Sequence, residues 1–213
     1  MVSRLTDRMR NEYSFHSKMA VAKRRIGGDD KRQAILVAAL ELFNERTYGG
    51  TPMPMVAERA GVGAGTIYRY FASKEALVNA VYRYCKLALQ RCLSARTATG
   101  HSARGEFSRL WQGLWDFARQ RPEALRFLET HNHASYLDEA SREVSEAVFV
   151  TIGDLVGRAR AEGLMRRSDP AVLIAMAFGA FVGLVKEADQ GHFELTDDLI
   201  RTSEDAVWAL LQA

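Results

Sequence analysis

The chain is poor in residues that break helices or staple small folds. It has four prolines and two cysteines in 213 residues. Each proline (Pro52, Pro54, Pro122, Pro170) falls where a helix would start or make its first turn, and there a missing N–H costs nothing. Cys85 and Cys92 are seven residues apart. On one helix that separates them by about 10 Å, beyond the usual reach of a disulfide. They read as reduced packing residues, which fits a cytoplasmic chain. Sustained apolar–polar alternation is missing, so strands are not expected. No internal repeat or low-complexity linker appears. The longest apolar run, Ala171 to Val185, has fifteen residues, against the roughly 20 of a spanning helix. It reads as a buried helix, with no membrane partner. The first residues are charged and lack the apolar segment of a secretory signal. Paired carboxylates, a metal-ligand cluster and a nucleophile–base pattern are also missing, so the reading is neither an enzyme nor a cofactor protein.

What remains is helical and unevenly charged. Residues 1–75 hold 13 basic and 8 acidic side chains, and the rest hold 16 and 18. Positive charge is thus gathered in the N-terminal third, as expected of a part that faces a polyanion, although a solvated surface could show the same asymmetry by chance. Residues 1–28 form a basic arm. Lys23, Arg24 and Arg25 stand directly before the first predicted helix, within reach of a DNA minor groove. The other reading of the arm is disorder, or a start at Met19. The first helix starts at Asp29 or Asp30 and ends before Gly49-Gly50, with Ile35, Ala39, Leu42 and Phe43 on one face.

Two short helices follow, near 52–60 and 64–71, joined by Ala60-Gly61-Val62-Gly63. Thr51 is the expected N-cap of the first. Two short helices about a glycine-containing turn form a helix-turn-helix, here over roughly 51–71. Val56, Ala57, Val62, Ile67 and Phe71 supply its small core. Ala64, Thr66, Tyr68, Arg69 and Tyr70 are left toward the protruding side. Small groups, hydroxyls and a cation suit a major groove and its phosphates. The phosphate-loop look of the segment around Gly63 lacks the preceding strand that a nucleotide site requires.

Further on, Ser73 caps a helix to about Ser94. Phe107, Leu110, Trp111, Leu114, Trp115 and Ala118 make an apolar stripe, and Pro122 opens a helix to Thr130. A linker, His131 to Leu137, leads to a helix over 138–162. Asp169-Pro170 starts the apolar helix to Ala188, and Thr196 caps a last one to Leu211. His131 and His133 admit three readings: ligand contacts, a metal pair, or structural groups. The apolar helix needs partners on two faces, its own bundle and a second surface. A wholly intramolecular core is the alternative.

Residues 57–81, "AERAGVGAGTIYRYFASKEALVNAV", together with "AILVAALELF" before them and the Gly49-Gly50-Thr51 entry, resemble the DNA-binding signature of TetR-type repressors. The close match spans about 31–81; the later helices match that family in number and length only. The resemblance implies an all-α fold: an N-terminal three-helix DNA-binding domain over 29–75, and a helical bundle for ligand binding and dimerisation over 76–213. It implies a repressor released from a palindromic double-stranded DNA operator by a small molecule. Carried over by residue, Thr51 bonds a phosphate, and Ala64, Thr66 and Arg69 lie near base edges. Tyr68 and Tyr70 clamp the sugar–phosphate backbone, and Lys74 meets a phosphate. Gly63 replaces the family's usual Ser or Thr, which removes a capping hydroxyl, and Gly65 softens the recognition helix by about 1 kcal/mol. These two glycines keep a second reading open: a helical interaction protein with a degenerate helix-turn-helix. The family's effector cavity would draw on Trp111, Trp115, Phe127, His131, His133, Tyr136, Phe149 and Phe178, which suit an apolar or amphipathic effector. A homodimer interface would use Ala175, Gly179, Ala180, Gly183, Leu199, Ala206 and Leu210.

Overall fold

A computed structural model describes residues 28–95, 102–130 and 133–213. The arm residues Lys23, Arg24 and Arg25 and the linker residue His131 lie outside this set. The described elements are α1 (Gly28–Arg46), α2 (Met53–Arg59), α3 (Ala64–Tyr70), α4 (Lys74–Ala95), α5 (Ala103–Gln120), α6 (Pro122–Thr130), a 3-10 turn (His133–Ser135), α7 (Glu139–Ala161), α8 (Pro170–Asp189) and α9 (Asp197–Leu211). Among the described residues there is no strand, only an isolated bridge between Met165 and Gln212.

The helices begin where short polar side chains can hold free backbone amides. The Ser73 hydroxyl accepts from the Ala76 amide at 3.1 Å. Asp138, Asp169 and Thr196 accept from Ser141, Ala171 and Leu199 in the same way. The predicted bounds of the longer helices hold to within about two residues. The first helix is shorter than expected: it stops at Arg46, and Thr47 takes a left-handed φ of 60°.

α1 packs on α2, α4 and α6, and α2 on α3, so the first three helices form a compact unit seated on α4. Its centre is Ile35, Ala39, Phe43, Val56, Ile67 and Phe71, all buried. α4 is shared: its first turns complete this unit and the rest packs on α5 and α7. α4 and α5 cross closely at Gly113, where an added Cβ would lie 2.9 Å from the Cys92 carbonyl oxygen. Cys85 is buried in this region, and burial pushes its thiol pKa up.

The outer edge of the bundle departs from expectation. α8 was predicted to bury one face in its own bundle, yet Leu173 and Phe181 are its buried residues. Most of its apolar stretch is uncovered, and it is the one described helix long and apolar enough to cross a membrane by length and composition. Val172 and Met176 on α8 and Leu210 on α9 are exposed.

Candidate nucleic-acid interface

The helix-turn-helix is built by a chain of local constraints. α2 ends at Ala60, and Gly61 then takes φ +65°, a backbone state that costs glycine little. The Val62 amide reaches back to the Ala57 carbonyl at 2.9 Å, which turns the chain toward α3. Ile67 is fully buried and Phe71 nearly so, fixing α3 by its inner face. Its outer face is bare. Gly63, Ala64, Gly65 and Arg69 are exposed, and Tyr68 is 52% exposed. Thr66 and Tyr70 are half-buried, and Tyr70 packs against the core. The structure therefore brings Ala64, Thr66, Tyr68, Arg69 and Tyr70 together on one seven-residue helix. Gly63 is its N-cap and makes no side-chain capping bond.

Thr51 does not take the expected place. It is 1% exposed, and its hydroxyl donates to the Thr47 carbonyl at 2.8 Å and lies 3.2 Å from that of Leu42. Pro52 is the N-cap of α2. The hydroxyl ties α2 to the end of α1 and is not free for a phosphate.

Lys74 starts α4. Its ammonium stands 4.4 Å from the centroid of the Tyr48 ring and 3.4 Å from the Gly49 carbonyl oxygen. Burial lowers its pKa. The Tyr48 hydroxyl donates to Glu75 at 2.9 Å, and burial first, then that carboxylate, push its pKa up to about 12.

Tyr48 also faces the bundle. Its ring lies 5.0 Å from that of Tyr136, and Phe43 stacks against Phe127 at 6.1 Å. His133 is buried between the rings of Phe127 and Tyr82. Its Nε2 donates to the Phe127 carbonyl at 2.9 Å and its Nδ1 pairs with the Tyr136 hydroxyl at 2.6 Å. Burial pushes the Tyr136 pKa up to about 12. Asn79 closes the joint: its amide nitrogen donates to the Tyr136 carbonyl at 2.7 Å and its oxygen accepts from the Asp138 amide at 2.9 Å. Phe127, His133 and Tyr136, expected around an effector, thus sit where the bundle meets the DNA-binding unit. Asn79 and Tyr48 were missed on the sequence. The available signal was Asn79, a lone amide inside the apolar run Leu77 to Val81.

Of the remaining effector candidates, Trp111, Trp115 and Phe178 gather around Phe181 between α5 and α8. Phe149 leaves the set: it lies on the outside of α7, 54% exposed. The predicted interface residues share the open edge. Ala175, Gly179, Gly183, Ala206 and Leu210 are exposed, while Ala180 and Leu199 are half-buried.

Comparison with known proteins agrees with this architecture. Residues 35–81 match the family described as bacterial regulatory proteins, tetR family, and residues 82–213 match the tetracyclin repressor-like C-terminal domain. The chain is 26% identical to the HTH-type transcriptional activator FasR of Mycolicibacterium smegmatis over 140 residues, covering 63% of this chain and 62% of FasR. Among solved structures, a TetR family transcription regulator from Marinobacter aquaeolei VT8 superimposes with a TM-score of 0.78 at 25% identity, covering 86% of this chain and 96% of that one. A putative TetR family regulator from Vibrio parahaemolyticus gives 0.72 at 27% identity, covering 86% and 99%. With both halves of the chain matched in order, and a recognition helix set out from the core, the protein belongs to the TetR family of DNA-binding transcriptional regulators.

Proposed function

We propose that the protein is a cytoplasmic, ligand-responsive repressor that binds a palindromic operator as a homodimer and is released by a small apolar or amphipathic effector. The observation that carries this reading is the contrast between the buried inner face and the bare outer face of α3. In this reading Ala64, Thr66 and Arg69 meet base edges, and Gly63 and Gly65 let the backbone come close. Tyr68 and Tyr70 brace the sugar–phosphate backbone, and Lys74 meets a phosphate beside the amino end of α4. Residues 29–75 act as the DNA-binding unit and 76–213 as the effector and dimer unit.

The open apolar side of α8 supports a second copy as its cover. Added Cβ atoms at Gly179 and Gly183 would meet nothing within 4 Å, so a partner helix can approach closely there. Two copies joined along α8 and α9 would present two α3 helices about one DNA turn apart, roughly 34 Å. An effector that shifted this spacing by a few ångströms would prevent both helices from entering successive grooves. The Tyr48–Tyr136–His133 joint is the rigid link through which such a shift would pass.

A mobility shift with the DNA upstream of the protein's own gene tests the reading. The expected result is a salt-sensitive complex whose sequence preference relaxes at particular base pairs in Arg69→Ala, with a cost of about 1–3 kcal/mol at those positions. Transcription that rises on deleting the gene supports repression; transcription that falls identifies an activator.

A further inference from the structure

The aromatic cluster between α5 and α8 contains two polar atoms that its packing does not explain. Trp111 and Trp115 are one helical turn apart on α5 and are 2% and 1% exposed. Neither indole N–H meets an acceptor among the described residues. The two rings stand 6.4 Å apart, edge to face, and each meets Phe181 of α8 edge to face, at 6.1 and 5.0 Å. Phenylalanine would fill an apolar core of this kind with no donor to satisfy. A buried N–H without a partner is costly, and two on adjacent turns of one helix call for an acceptor that the described residues do not supply.

The surroundings limit what that acceptor can be. Arg104, three residues before Phe107 on α5, is taken by Glu204 and Asp205, each at 2.6 Å. Glu204 is buried and also accepts from Gln112 at 3.0 Å. An anionic ligand would find that cation already paired and a buried carboxylate close by. An alcohol would bring a further donor, and each oxygen of the nearby carboxylate already accepts a hydrogen bond. A neutral oxygen that only accepts is the group that fits two N–H donors in an apolar wall.

We propose that Trp111 and Trp115 are the donors of a binding site between α5 and α8, and that its ligand is an uncharged apolar molecule carrying a carbonyl oxygen, as in a ketone or an ester. This deepens the effector reading above and rests on it only for the consequence at the operator.

The test uses the full-length protein and three probes: methyl nonanoate, undecane of equal chain length, and nonanoate. Binding of the two volatile probes is measured by headspace partitioning, and nonanoate by its displacement of the ester. Wild type should bind the ester about tenfold more tightly than the alkane, the worth of one net hydrogen bond. Trp111→Phe and Trp115→Phe keep the ring packing and should each bring that ratio close to one. Circular dichroism melts check that both variants fold. Equal binding of ester and alkane, an unchanged ratio in both variants, tighter binding of nonanoate, or no ester binding overturns the proposal and assigns the indoles to N–H···π contacts within the cluster. Operator affinity is measured separately. Ester binding through the tryptophans with unchanged operator affinity would overturn the effector reading and leave the site standing. An operator response to other compounds, equal in wild type and both variants, would do the reverse.

Discussion

The N-terminal unit and the outer edge of the bundle are both apolar helical assemblies, but only the first is closed. In the α1–α3 unit Phe43, Ile35 and Ile67 are fully buried, and only Val37 and Tyr68 among its described large hydrophobic side chains stay exposed. On α8, a more apolar helix than any of these, Leu173 and Phe181 are buried while Val172 and Met176 stay open. Apolar content therefore does not determine burial in this molecule; the number of neighbouring helices does. α3 can leave a face bare because, apart from Tyr68, that face is polar or small, and in the proposed function it is the face that meets DNA. α8 leaves a face bare that is costly in water at roughly 25 cal/mol per Å², which is the physical argument for a second copy.

The largest expected effect breaks the open side. Gly179→Arg places a charge where a partner helix would lie, and an unpaired charge buried there costs about 3–5 kcal/mol. Because nothing lies within 4 Å of that position, the protomer should fold unchanged while dimers and operator binding are lost. Sedimentation velocity and a binding assay read both.

The closed side is broken by Phe43→Ala, which should cost about 3–5 kcal/mol of unfolding free energy, whereas Phe149→Ala on the exposed face of α7 should change it by about 0.5 kcal/mol or less. Denaturant melts of the two variants measure the contrast. Equal costs would mean that the exposed apolar positions are already part of a core.

Smaller changes sharpen the picture of the DNA-facing side. Lys74→Ala should weaken binding to all duplexes alike and make the log–log salt slope shallower by about 0.9, one phosphate's worth. Salt titrations of operator and unrelated DNA check this. Gly63→Ser restores a capping hydroxyl where an added Cβ would meet only Thr66 Oγ1, at an ordinary 3.7 Å. It should stabilise α3 by a few tenths of a kcal/mol, read as slower amide exchange in that helix.

The N-terminal half was the more legible on the sequence, and the reason is physical. A helix-turn-helix requires particular residues at fixed spacing, such as Gly61 at its positive φ and Ile67 against the core, so its pattern is local. The caps at Ser73, Asp138, Asp169 and Thr196 are local in the same sense and were readable. Thr51 was misjudged because its partners, the carbonyls of Leu42 and Thr47, belong to the end of the preceding helix. The sequence left His133 open between ligand contact, metal pair and structural group, because its partners, Phe127, Tyr82 and Tyr136, are brought to it by tertiary packing. The exposure of α8 was half legible: its composition showed that a second surface was needed, and nothing in its periodicity showed how little of it the bundle would cover.

If a second copy completes α8 and α9, the pair is what binds DNA. The most direct measurement is sedimentation velocity of the wild-type protein at micromolar concentration, alone and with a palindromic operator duplex. A dimer is expected in the absence of DNA, and two protomers per duplex in its presence. A monomer that binds a single half-site tightly would contradict it.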